Sequence, residues 1–193
     1  MSDDTTLSSG DLLSPECLRI APATSAEDIA AVQQLCWDYR SHLASVSPVE
    51  AKLTETFYPI PKYNALMATL ETEHSRPKGI MLLAKLNGAP AGCAMSHALG
   101  PLSSEIKRLF VAPCARGHGI ARKLVEGLME QAHNDGFTRV LLDTSLNLGP
   151  ARALYASMGF SERGPYQDIP AEALPHLVFF EAALKPSPQN IGD

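Results

Sequence analysis

Apolar positions along this chain recur with two different periods, and the changes of period mark out its elements. Cys17-Leu18-Arg19-Ile20 predicts a short first strand, and Ile29, Val32, Leu35, Cys36, Tyr39 and Leu43 then follow at helical spacing. Thr24 and Glu27 stand three apart ahead of that stripe, the spacing of a capping box at a helix start. Residues 48–75 read as helical but interrupted, because Pro59 and Pro61 are excluded from a regular helix interior. Residues 80–86 and 91–97 predict two strands joined by a hairpin at Asn87-Gly88-Ala89-Pro90, and 104–111 predicts another strand. The clearest helix spans 117–134, where Ile120, Leu124, Val125, Leu128, Met129 and Ala132 form one stripe and Gly136 supplies the stop. Residues 138–143 are almost continuously apolar, the pattern of a strand covered on both faces. A short helix at 150–158 ends at Gly159, and Leu177 to Phe180 read as a last strand. Strands alternating with helices in a mixed sheet give an α/β (mixed α+β) class.

The 193 residues suffice for one domain with a sizeable core. Residues 1–16 are polar and expected to be a disordered tail, 17–185 form the domain, and 186–193 form a flexible tail. Charged residues make up 19% and the formal net charge is -5, which argues against a nucleic-acid partner. The polar N-terminus has no signal-peptide pattern, and the longest charge-free run is broken by Gly, Pro and Ser. Cytoplasmic location without membrane association is therefore expected. Cys17, Cys36, Cys93 and Cys114 are scattered, and the six histidines give no metal spacing, so no metal is expected.

The most informative segment is Val111-Ala112-Pro113-Cys114-Ala115-Arg116-Gly117-His118-Gly119-Ile120-Ala121. A strand enters, glycines turn the chain, and an amphipathic helix leaves. The first helical amides lack internal partners and the helix dipole adds positive potential there, which suits a pyrophosphate. Arg116, His118, Arg122 and Lys123 add donors around the same point. The turn lacks the Gly-Lys-Ser/Thr ending of a Walker loop and the full glycine pattern of a dinucleotide fingerprint.

Arg116-x-x-Gly119-x-Ala121 resembles the Arg/Gln-x-x-Gly-x-Gly/Ala signature of the GNAT superfamily of N-acetyltransferases. Glu105-Ile106-Lys107-Arg108-Leu109-Phe110-Val111-x-Pro113 is similar to that family's fourth strand, and Ala151-x-x-Leu154-Tyr155-x-x-x-Gly159-Phe160 to its second motif. The resemblance covers roughly residues 104–165. It implies six to seven strands in a mostly antiparallel sheet, splayed between the fourth and fifth, with about four helices. It implies acetyl-CoA as cosubstrate, with Leu109, Phe110 and Val111 pairing with the pantetheine arm. Arg116, Gly117, His118, Gly119, Ile120 and Ala121 would hold the pyrophosphate. Tyr155 matches the tyrosine that protonates the departing thiolate, Glu105 a general base, and Asp143 a carboxylate placed there in some members. The family often has a cofactor-contacting Asn seven residues before the tyrosine; here that position is Leu148, and its neighbour Asn147 is the candidate to take over that cofactor contact.

The expected activity is transfer of acetyl to a primary amine, of a small molecule first and of a peptide or protein as the alternative. A non-catalytic acyl-CoA sensor is a rival of another class, and a homodimer is left open. Each candidate also has a plain structural role open to it. Glu105 suits a partner for Lys107, Asp143 a strand-end cap, Tyr155 core packing, and Cys114 an inert thiol. Trp37, Asp38, Tyr39, Arg40, Tyr58 and Tyr63 fall where the family's variable helices wall the acceptor pocket, with core and rim as their default role.

Overall fold

In the computed structural model, which describes residues 17–184, twelve elements build one sheet with helices on both faces. They are β1 (Leu18–Pro22), α1 (Ala26–Val46), α2 (Pro48–Phe57), α3 (Ile60–Glu73), β2 (Gly79–Leu86), β3 (Ala89–Ala98), β4 (Ser103–Val111), α4 (Ile120–Asn134), β5 (Arg139–Ser145), α5 (Gly149–Ser157), β6 (Ser161–Arg163) and β7 (Leu177–Ala183). The expectations for the terminal segments 1–16 and 185–193 lie outside the described residues.

Local chemistry accounts for most boundaries. The cap of α1 is Ser25, whose Oγ accepts from the Asp28 amide, and not Thr24. Both residue types cap helices and both stand three residues ahead of an acidic first-turn residue, Glu27 and Asp28; the helix begins at Ala26, which leaves Ser25 in the extended cap position. Ser47 caps α2 in the same way. Pro59 then separates α2 from α3, and Pro61 falls in the first turn of α3, where its missing amide has no partner to lose. Five α-helices result where about four were expected. The β2–β3 hairpin turns at Asn87 (φ 51°) and Gly88 (φ 84°), the left-handed pair a tight hairpin requires. Helix α4 starts at Ile120 rather than 117, because Gly119 (φ 71°) is left-handed and ends the turn. β6, which pairs with β7 over only three residues, was too short to register as a pattern.

The seven strands run in the order β1-β2-β3-β4-β5-β7-β6, antiparallel except for β4 and β5. One face carries α4, with Leu124, Val125, Leu128 and Ala132 buried against Leu82, Ala94 and Leu142 of the sheet. The other carries α1 and α3, with Val32, Cys36, Tyr63 and Leu70 against Met81, Leu83, Met95 and Phe110. β5 is buried on both faces, as its apolar run implies.

Two facts about β4 position the site. It pairs with β5 only from Ser103 to Glu105, after which the two strands diverge while each keeps its other neighbour. The sheet therefore opens into a splay with an unpaired strand edge. Its ladder with β3 also slips between Cys93 and Met95, leaving an extra residue on β4 where Arg108 takes φ 51°. Such a bulge redirects a side chain and is common beside functional sites.

Candidate active site

Two cavities meet at the splay. The first, of about 520 Å3, runs from Leu109, Phe110 and Val111 to Arg116, Gly117, Gly119, Ile120 and Ala121, closed by Leu148 and Leu154. A Cβ built on Gly117 or Gly119 would meet no atom within 4 Å. Space is thus open directly against the main chain where α4 presents its partnerless amides. Helix α4 has no acidic residue in its first turn. The Arg116 guanidinium is held by His42 Nε2 at 3.3 Å and the Val111 carbonyl, with no carboxylate partner among the described residues. An extended amide-bearing chain fits the open edge of β4, and a pyrophosphate fits the helix end.

The second cavity, of about 290 Å3, lies between β4, β5, helices α1–α2 and the segment 167–169. Its polar lining includes Glu50, Thr54, Lys107, Arg108, Asp143, Ser145 and Asp168, with the phenols of Tyr39, Tyr58 and Tyr155. Tyr39, Leu43, Leu109, Leu148 and Ala151 line both cavities.

Buried charges behind this wall form one network. Glu105 is 1% exposed and does not line the cavity; it meets Lys107 Nζ at 2.6 Å, His97 Nε2 at 3.0 Å and the Tyr166 hydroxyl at 2.7 Å. Burial alone would raise its pKa, but the His97 hydrogen bond, the Lys107 ammonium and Tyr166 outweigh that and hold it at about 2. The Lys107 ammonium, raised by Asp143 and Glu105 against its burial, reaches on to Asp143 at 3.5 Å. Asp143 is more open and accepts from Gln167 Nε2 at 3.3 Å, with the Tyr166 hydroxyl 3.4 Å away. Burial, then the Asp143 charge, raises the Tyr155 phenol well above its ordinary value, so it stays protonated at any working pH. The Tyr155 ring is clasped by Phe160 at 5.8 Å and Phe180 at 5.7 Å.

Of the residues picked from sequence, Leu109, Phe110, Val111, Arg116, Gly117, Gly119, Ile120 and Ala121 all line the first cavity, and Tyr155 lines the second. His118 lines neither; its Nδ1 sits 3.1–3.2 Å from the carbonyls of Arg116 and Ala115. Asn147 is likewise elsewhere, its Nδ2 donating to Glu50 Oε1 at 3.1 Å, while Leu148 faces both cavities. Tyr39 and Tyr58 line the second cavity; Trp37 packs edge-on to Tyr63 at 4.9 Å, and Arg40 is paired to Glu55 at 2.5 Å. Cys114 is exposed and free. Among the described residues, no group of three or more His, Cys, Asp or Glu side chains is placed to hold a metal, and no helix is long and apolar enough to cross a membrane.

Sequence reasoning missed Glu50, Tyr166 and Gln167 altogether. Glu50 is 3% exposed, and its Oε1 accepts from Ser145 and Asn147 across the cavity wall. No periodicity or motif flags such residues, because their partners lie far along the chain.

The splayed sheet, the anion-ready helix end and the second cavity lie together at one end of β4 and β5. The chain belongs to the acetyltransferase (GNAT) family, whose profile matches residues 37–160. It is 30% identical to an IAA acetyltransferase of Azospirillum brasilense over 64% of this chain and 86% of that one. Its fold is similar to an acetyltransferase from Streptococcus agalactiae 2603 (TM-score 0.68, 20% identity, 86% of this chain and 98% of the other). It is also similar to the paia N-acetyltransferase of Thermoplasma acidophilum solved with coenzyme A (TM-score 0.62, 14% identity, 86% and 99%). The protein is an acetyl-CoA-dependent N-acetyltransferase.

Proposed function

We propose that the protein moves acetyl from acetyl-CoA directly onto the primary amine of a small molecule while both are bound. The observation that carries this is the junction of the two cavities at Leu109, which brings a cofactor track and a small polar chamber to one point. A chamber of about 290 Å3 sits at the lower end of small-ligand sites, which run from about 300 to 1,000 Å3.

In this reading the amine nitrogen attacks the thioester carbonyl carbon. The tetrahedral intermediate collapses with loss of the C–S bond, the nitrogen gives up one proton, and the thiolate takes one. A backbone amide near Phe110 or Val111 would stabilise the oxyanion. Tyr155 is the assigned donor to the thiolate, since its side chain lines the chamber at the junction with the cofactor track.

For the base, the geometry favours Asp143 over Glu105. A base must reach the amine, and Asp143 lines the chamber whereas Glu105 is buried behind Lys107. A carboxyl held at about 2 also has little affinity for a proton at neutral pH. Glu105 then serves to fix Lys107 and Tyr166, which in turn hold Asp143.

The reading is tested by initial rates across an amine panel, varying acetyl-CoA and amine together and identifying products by mass spectrometry. Intersecting reciprocal plots and an N-acetylated small amine are expected. Parallel plots would contradict direct transfer, and acetylation of peptides alone would contradict the small-molecule acceptor.

A further inference from the structure

The acceptor chamber contains one cation whose charge no protein carboxylate answers. Arg108 lines it, at the left-handed bulge of β4, and makes no ion pair with a carboxylate among the described residues. Its Nε is buried without a hydrogen-bond partner. Its Nη1 lies 3.5 Å from His74 Nε2 and 3.6 Å from Met95 Sδ, and its guanidinium carbon sits 6.0 Å from the centre of the Tyr58 ring. His74 supplies no negative charge. Its Nδ1 is 3.0 Å from the Ser96 carbonyl, so Nδ1–H donates there and Nε2 offers a neutral lone pair. Burial holds the ring neutral, with a pKa of about 4.

The other charged groups around the chamber are already engaged or carry the opposite sign. Lys107 is taken by Glu105 and Asp143. Asp143, Glu50 and Asp168 put negative charge on the same wall. A half-buried guanidinium left without a counter-charge is disfavoured unless a ligand supplies one, and its planar fork matches a carboxylate. One unanswered positive charge matches one negative charge. A dianionic phosphate would bring a second negative charge against Glu50 and Asp168 on the same wall.

We propose that the acceptor is an amino-acid-like molecule, an amine carrying its own carboxylate, which Arg108 binds while the amine faces Asp143. This rests on the small-amine reading above and narrows it to a substrate class. Arg108 lines only the acceptor chamber, so its role is separable from cofactor binding.

The experiment compares matched acceptors: each common L-amino acid, its C-terminal amide and its decarboxylated amine, followed by release of the coenzyme A thiol. With the unaltered protein, at least one amino acid should be acetylated, and removing its carboxylate should lower kcat/KM by about 10- to 100-fold, the usual scale for a charge-assisted pair. Arg108→Met should abolish that preference and leave acetyl-CoA affinity by calorimetry unchanged. Arg108→Lys, which keeps the charge but not the fork, should retain part of it. Equal kcat/KM for acid and amide with the unaltered protein would overturn the proposal without any variant. So would acetylation of decarboxylated amines alone, or of no panel member by a protein that binds acetyl-CoA. Failure to bind acetyl-CoA would instead overturn the transferase reading beneath it.

Discussion

The two cavities that meet at Leu109 are built by opposite means. The cavity assigned to the cofactor comes largely from one continuous stretch: a strand edge, two left-handed glycines and the first turn of α4, all within residues 109–122, closed by α5 and α1. The chamber assigned to the acceptor is assembled from elements far apart in the chain: α1, α2, β4, β5, α5 and the segment 167–169. A site made of backbone tolerates changes of side chain but not of backbone shape. A site made of side chains can be retuned residue by residue, which lets one cosubstrate serve many acceptors on one fold.

The largest acceptor-side effect is expected at Tyr155. Tyr155→Phe keeps the ring between Phe160 and Phe180 and removes only the hydroxyl. Turnover should fall about a hundredfold or more, with melting temperature and acetyl-CoA affinity nearly unchanged. Parental turnover in steady-state kinetics would reduce Tyr155 to a packing residue.

Asp143→Asn sharpens the contrast further. If Asp143 takes the amine proton, the variant should lose about tenfold or more in kcat/KM near pH 7, and the gap should narrow at high pH as free amine accumulates. Glu105→Gln should keep the parental shape of the pH–rate profile. The opposite pair of profiles would return the base to Glu105.

A smaller, purely structural effect belongs to the Glu105 network. Its folded pKa of about 2 lies below the ordinary 4.5, so its contribution is full above pH 4.5 and lost as pH falls through 2. That shift is worth roughly 3 kcal/mol. Urea unfolding between pH 6 and pH 2 should therefore show the parental advantage over Glu105→Gln shrinking with acid. A constant difference would mean that the ion pair with Lys107 contributes nothing.

The same contrast explains what the sequence could reveal. Helix α4, the hairpin at Asn87-Gly88 and the glycine turn are local: their periodicity and left-handed positions are written in consecutive residues. Even there, the spacing pointed to Thr24 as the cap, and the backbone uses its neighbour Ser25. The acceptor chamber depends on contacts such as Glu50 with Ser145, 95 positions apart, and Tyr166 with Glu105, 61 apart. Arg108 stood in plain view within a recognised motif, but only the bulge and the missing carboxylate single it out. Asn147 shows the converse: a plausible neighbour in sequence is drawn off by a distant glutamate.

The central claim is that the cofactor is held by backbone shape and the acceptor by side chains, and calorimetric titration of acetyl-CoA into two variants tests it without any known acceptor. Gly119→Glu places a side chain and a negative charge in the open space at the end of α4, on a residue whose φ of 71° strains any L side chain. Acetyl-CoA affinity should drop a hundredfold or more, while Asp143→Asn should bind acetyl-CoA like the parent. Unchanged affinity in a folded Gly119→Glu protein, or an equal loss in both variants, would contradict the account.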